Sequence, residues 1–261
     1  YLAPSLEVVA EINSRLDKIG NIKSDGRPIL GMDVKKLTEM MWEVDKTVFP
    51  IPAHIWTPWF SLFGSKSGFD SIEECFEELA PKIRCLETGL SSDPAMNWRW
   101  SELDDRVLVS SGDAHSPAKL GREACVFEIP EEKLSYNEIC RVMSTGDQKS
   151  FLYTIEFFPE EGRYHNDGHR DCKVNLTPPE SKKTKNMCPQ CGKPLTIGVL
   201  NRVDSLAERP EGYRDDKRIP FKSIIPLADI ISDVVGVGKT SKKVQTIYEA
   251  AVAQADEFSI L

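Results

Sequence analysis

The chain has 261 residues, 40% of them hydrophobic and 8% aromatic, with a formal net charge of −8. That is enough apolar material for a real core, in one large domain or a medium one with small attachments. No run of about 18 apolar residues offers a membrane span. The acidity excludes a uniformly basic nucleic-acid binder, yet residues 181–243 carry 13 Lys and Arg against 7 Asp and Glu, a net of +6 that leaves −14 on the rest. An acidic body with a basic C-terminal part is the expectation.

No basic-then-apolar leader opens the sequence. Of the seven cysteines, Cys75, Cys85, Cys125 and Cys140 sit in apolar or helical contexts and read as buried, reduced thiols of a cytoplasmic protein. Ser5 caps a helix whose inward face is Leu6, Val9, Ile12 and Leu16, stopped at Gly20. Asp33 caps a second, with Leu37, Met40, Met41 and Val44 inward. Residues 48–54 read as a strand, and Ser71-x-x-Glu74 is a capping box opening a helix to about Leu79. Residues 83–87 and 107–111 are further strands, Ser135-x-x-Glu138 caps another helix, and 151–158 is a last strand. This alternation predicts βα units with a parallel sheet or barrel. Beyond it, 178–186 reads as a polar loop and 210–220 as a charged linker. Two helices follow, at 227–235 and about 241–256.

Residues 164–196 carry a metal-ligand pattern. Cys188-Pro-Gln-Cys191 is a tight turn that aims two thiolates at one ion, and Gly192 relieves the backbone where it folds back. His169-x-x-Cys172 supplies two more soft ligands, enough for a closed tetrahedral structural zinc. His165 is the alternative fourth ligand. His169 is preferred because its spacing to Cys172 mirrors the Cys188/Cys191 pair.

Three predicted strands end in metal-capable residues: His54, Glu87, and Asp113-Ala-His115. The C-terminal strand ends form the active face of parallel βα folds. Singly, each residue has a plainer role, as a hydrogen-bonded histidine, an arginine partner or a helix cap. Together they point to a divalent metal site able to polarise a phosphoryl group. The chain has four histidines, two at strand ends and two in the zinc segment.

The segments 52–68 (PAHIWTPWFSLFGSKSG), 87–97 (ETGLSSDPAMN) and 111–123 (SGDAHSPAKLGRE) resemble the endonuclease Q family, DNA-repair members of the PHP (polymerase and histidinol phosphatase) superfamily. Glu156-Phe-Phe-Pro-Glu-Glu-Gly162, Tyr164-His-x-Asp-Gly-His-Arg170 and Cys188-Pro-x-Cys-Gly-Lys-Pro-Leu-Thr196 are similar to its zinc segment. The resemblance implies an α/β fold: a partial PHP-type (β/α) barrel over 1–150, a zinc ribbon over 151–213, and a basic, helix-hairpin-helix-like region over 214–261. It also implies a metal-dependent DNA endonuclease nicking 5′ of deaminated bases (uracil, hypoxanthine) or abasic sites.

By motif match His54, Asp113 and His115 would ligate the divalent cluster (magnesium, manganese or zinc), with Asp113 and Glu87 catalytic. The family's opening Asp-x-His-x-His motif and further His and Glu ligands do not occur here. The chain therefore reads as a fragment or the product of a truncated gene, unless another chain supplies the missing barrel strands. The partner is damaged DNA. The Gly236-Val-Gly238 turn, with Lys239, Lys242 and Lys243, would meet its phosphates. Trp56 and Trp59, with Phe60 and Phe63, would stack on an extruded base. A PHP-type phosphatase of a small metabolite, or a DNA-binding remnant without catalysis, are the competing expectations.

Overall fold

The computed structural model describes residues 1–23, 29–66 and 68–261. Ser67, within the 52–68 motif, lies outside the described residues.

The N-terminal third is helical. Helices α1 (Leu6–Leu16) and α2 (Val34–Val44) start where expected, the Ser5 hydroxyl accepting from Val8 N and the Asp33 carboxylate from Lys36 N at 2.8 Å. Their apolar stripes enclose Ile12, Met41 and Val48. Residues 48–54 form no strand. Pro50 and Pro52 remove two ladder donors, leaving one antiparallel bridge between Leu2 and Phe49. The segment still lies beside the next strand through Glu87 N to Pro52 O (3.0 Å) and Ile55 N to Glu87 O (3.1 Å).

Helix α3 (Ile72–Phe76), capped by Ser71, ends where Glu77 turns to positive φ (+48°), and a 3₁₀ turn containing Pro81 runs on through Lys82. Strand β1 (Cys85–Glu87), the short helix α4 (Pro94–Asn97) and strand β2 (Val107–Val109) follow; β1 and β2 pair in parallel, Cys85 opposite Val107. Strand β3 (Ala124–Phe127), helix α5 (Tyr136–Thr145) and strand β4 (Phe151–Glu156) come next. In the knuckle region β5 (Asp167–His169) and β6 (Val174–Leu176) form an antiparallel hairpin.

The expected loop at 178–186 is instead largely helix α6 (Pro178–Lys183). Thr177 and Glu180 make a capping box there, and Pro178 sits where a missing N–H costs nothing. Helix α7 (Val199–Leu206), strand β7 (Phe221–Ser223) and helices α8 (Leu227–Val235), α9 (Lys242–Val252) and α10 (Glu257–Ile260) complete the chain.

Strand β4 is central to a three-stranded sheet, antiparallel to β3 and parallel to β7. One strand each from 1–150, 151–213 and 214–261 thus shares a sheet, so backbone pairing crosses both expected boundaries. The Ser110 hydroxyl, just past β2, donates to Ile155 O of β4 at 2.8 Å, linking this sheet to the β1–β2 pair. The largest core gathers Trp56, Phe63 and Trp100, ring centroids 4.9–5.7 Å apart, with Val199 and Val203 of α7.

The 210–220 segment is no free linker. Arg209 and Arg218 both donate to the Asp104 carboxylate, and Arg218 Nε reaches Asp215 at 3.0 Å. Among the described residues no helix is long and apolar enough to cross a membrane. The architecture is mixed α/β.

Candidate functional site

At the C-terminal ends of β1, β2 and β4 the chain gathers carboxylates. Glu87 closes β1 and is buried; one of its oxygens accepts the main-chain N–H of His54 at 2.6 Å and the other the Ser111 hydroxyl. It thereby ties the His54 turn to the end of β2. His54 itself is at φ +31°, a conformation uncommon for a side-chain-bearing residue, and its Nδ1 lies 3.0 Å from the Thr57 hydroxyl. The turn sits so close to the following loop that a Cβ on Gly89 would fall 2.6 Å from that of His54, so only glycine fits.

After β2 the chain turns sharply. Gly112 (φ +44°) and Asp113 (φ +39°) are both left-handed, and the Asp113 carboxylate faces His115 Nε2 at 3.4 Å, both side chains exposed. Strain of this kind concentrates at functional sites. Among the described residues His54, Asp113 and His115 are not drawn into one compact ligand cluster. What the structure does bring together is His54 with Glu87, Glu87 with Ser111, and Asp113 with His115.

Two further acids join them that sequence reasoning missed. Glu123, just before β3, is 4% exposed; one oxygen accepts Phe157 N–H at 3.4 Å and the other has no hydrogen-bond partner. Burial, reinforced by the Glu87 charge, pushes its carboxyl up to about 7. Beside it Arg122 donates to Gly112 O at 3.2 Å while its buried Nε makes no hydrogen bond. Glu156, at the end of β4, is fully buried and accepts from the hydroxyls of Thr154 (2.6 Å) and Thr88 (2.9 Å). Burial pushes it up to about 8. Glu156 opens the Glu156–Gly162 motif, whose resemblance is to a zinc segment and gives no sign of a role at the strand ends. The signal for both acids was an acidic residue at a strand boundary.

The aromatic loop after His54 divides. Trp56, expected to stack on DNA, is a core residue: 1% exposed, its indole N–H given to Asn97 Oδ1 at 2.7 Å. Phe63 is likewise buried, whereas Trp59 and Phe60 are 42% and 74% exposed, Phe60 at φ +55°.

The knuckle is a separate centre. One ligand atom from each of His169, Cys172, Cys188 and Cys191 lies within 4.8 Å of the others, the one such group among the described residues. Cys191 Sγ is 3.8 Å from His169 Nδ1, near the roughly 3.5 Å edge of a tetrahedron with Zn–S and Zn–N bonds of about 2.3 and 2.0 Å. Gly192, at φ +70°, lets its N–H reach Cys188 O at 2.8 Å. Three sulfurs and one imidazole suit zinc. His165 is not in this group: it is buried, with Nδ1 3.1 Å from Ser91 O.

At the C-terminal end, α8 and α9 enclose Leu227, Ile231 and Val244. The turn between them is exposed and carries Lys239, paired to Asp229 at 2.9 Å. Lys242 and Lys243 occupy the first turn of α9 and are exposed.

No family model matches the chain. An uncharacterised protein of Methanocaldococcus jannaschii is 32% identical over 208 residues, which are 78% of this chain and 26% of that protein. The uncharacterised protein YqxK of Bacillus subtilis is 31% identical over 212 residues, 79% of this chain and 50% of its own length. The crystal structure of the lesion-specific endonuclease PfuEndoQ from Pyrococcus furiosus superposes with a TM-score of 0.82 at 29% identity, covering 99% of this chain and 63% of that one. An endonuclease Q bound to a 27-mer duplex with an abasic lesion at its active site gives 0.83 at 29% identity, covering 96% and 62%. The chain thus spans a quarter to a half of these curated relatives and under two thirds of these structures.

A mixed α/β protein with acids at its strand ends and a Cys/His knuckle is the class defined by fold and site. Over nearly its whole length the chain is similar to the endonuclease Q structures.

Proposed function

We propose that the chain is part of a metal-dependent DNA endonuclease that nicks 5′ of deaminated bases (uracil, hypoxanthine) or abasic sites. The observation that carries this reading is near-complete superposition on an endonuclease Q holding duplex DNA with an abasic lesion, together with the acids at the β1, β2 and β4 ends. In this reading His54, Asp113 and His115 hold the divalent metal, completed by ligands from outside these residues. Two buried polar atoms beside the Gly112–Asp113 turn, Glu123 Oε2 and Arg122 Nε, lack hydrogen-bond partners, which fits a site built around a further charged group. Bound there, a divalent metal polarises the phosphodiester and lowers the pKa of an attacking water.

The chain's own residues do the rest. Glu87 holds the His54 turn against Ser111, and Glu123, with its carboxyl near neutrality, can take or return a proton. Trp59 and Phe60 stack on the opened strand. Lys239, Lys242 and Lys243 grip backbone phosphate: two lysines in the first turn of α9 oppose the helix dipole unless an anion sits there. The zinc at His169, Cys172, Cys188 and Cys191 is structural. The divisions 1–150, 151–213 and 214–261 are read as barrel part, zinc module and basic helical region.

The test is incubation of the whole protein with magnesium or manganese and a uracil-containing duplex. A nick on the 5′ side of the uracil, lost in Asp113→Asn, supports the reading. Hydrolysis of p-nitrophenyl phosphate without nicking replaces it with a phosphatase, and binding without either reaction with a DNA-binding remnant.

A further inference from the structure

The strands that present Glu87 and Asp113 at one end carry arginines at the other. Arg84 immediately precedes β1 and Arg106 immediately precedes β2; the register Cys85 to Val107 and the bond from Val107 N to Arg84 O (2.9 Å) set them side by side. Lys217 and Arg218, leading toward β7, close over the same place. Between them is a cavity of about 220 Å³. Three-residue strands put it about 10 Å from the strand-end acids, at the opposite face.

The charges lining it are mostly uncommitted. Asp104 is consumed by Arg209 and Arg218. Among the described residues Arg84 and Lys217 form no ion pair, and Arg106 makes one long contact, Nη2 to Ala80 O at 3.5 Å. Arg106 Nε is buried without any hydrogen-bond partner, an arrangement that native structures rarely leave unexplained. Among the described residues Arg84, Arg106 and Lys217 thus line the cavity without an ion pair, beside the carboxylate of Asp105, although the Arg106 charge also acts on Glu102. Guanidinium forks match the oxygens of a phosphate group, two N–H bonds at a time.

We infer that this cavity is a second anion site, one that takes a phosphate group. The group can come from a small phosphorylated molecule or from a nucleic-acid backbone; the recognition chemistry is the same. The inference is independent of the proposed nuclease reading, since it uses none of the strand-end acids.

Calorimetric titration of the whole chain with inorganic phosphate, at constant ionic strength in chloride, tests it. Saturable binding is expected, weakened about tenfold or more in Arg106→Gln and in Arg84→Gln, since each removes a charge-assisted bond. Arg84→Lys should recover part of the affinity. Because neither guanidinium anchors an ion pair, unchanged melting temperatures show that the variants are folded. Absence of saturable binding, or equal binding in wild type and both variants, overturns the inference. A second arm measures a fluorescent single-stranded oligonucleotide. If phosphate competes with it and the variants bind it more weakly, the natural group is a nucleic-acid phosphate. If strand affinity is unaffected while phosphate binding is lost, the site serves a small phosphorylated molecule.

Discussion

The buried carboxylate of Glu87 accepts the main-chain N–H of His54 at 2.6 Å, from a residue 33 positions away, while its other oxygen takes the Ser111 hydroxyl. One side chain therefore holds the His54 turn in its left-handed conformation and fixes it to the end of β2. Glu87→Ala should lower stability by about 2–3 kcal/mol, because it orphans a buried main-chain donor. Glu87→Gln keeps one acceptor and should cost less. Thermal unfolding of both variants measures the difference; equal stability would mean that Glu87 does not hold the turn.

A comparable arrangement supports the knuckle. Asp167 is fully buried and accepts from Gly198 N–H and Asn201 Nδ2, both at 2.6 Å, and from the Ser181 hydroxyl. It joins β5 to α6 and α7. Asp167→Asn turns an amide N–H toward at least one donor and should destabilise by roughly 2–4 kcal/mol. Ser181→Ala, which loses a single partner, should cost less. Denaturant unfolding of the two variants checks the order.

For the knuckle itself, metal analysis of the purified chain should find one zinc ion, lost on Cys188→Ser. Binding and folding of such a module are coupled, so chelation should increase proteolysis within 164–196 and leave the β1–β2 region protected. A chain without zinc that is equally resistant to protease would rule out a structural metal.

The pH dependence of stability should carry the signature of Glu156. Its carboxyl titrates near 4.5 when unfolded and near 8 when buried, chiefly through desolvation. The folded state therefore holds the proton more tightly. This contribution is complete below pH 4.5 and is lost as pH rises through 8. Glu156→Gln removes the titration, so the variant should gain on wild type by on the order of 1–3 kcal/mol between pH 5 and pH 9. Parallel melting-temperature profiles for the two proteins would refute this.

The aromatic loop separates stability from binding. Trp56→Ala empties part of the largest core and should cost about 3–5 kcal/mol. Trp59→Ala should stay within about 1 kcal/mol of wild type yet weaken binding to a nicked or abasic duplex. Phe60→Gly relieves a positive φ and should be neutral or slightly stabilising, with the same loss of DNA affinity. Fluorescence anisotropy against labelled duplex, beside thermal unfolding, distinguishes these outcomes.

Local chemistry was legible in the sequence. Ser5, Asp33, Ser71 and Ser135 all cap the helices that follow them, because a cap involves a side chain and an N–H only three residues on. The four knuckle residues meet for a related reason: the β5–β6 hairpin and the 187–194 turn are short-range structures. Helix α7 and strands β3 and β7 carry no such local signal. Gly198 gives α7 no side-chain cap, and β3 and β7 are aligned by β4 rather than by a pattern of their own.

What the sequence determined by itself was thus the set of short-range devices: the caps, the grouping of the four knuckle residues, and motifs that resemble one family. Tertiary structure alone decided which acids share a strand end, that Trp56 is core while Trp59 and Phe60 are surface, and that Arg84 and Arg106 converge on one cavity. Those outcomes depend on pairing between strands and helices tens of residues apart. Their register is chosen by burial summed over the whole core, a quantity that no short window of residues contains.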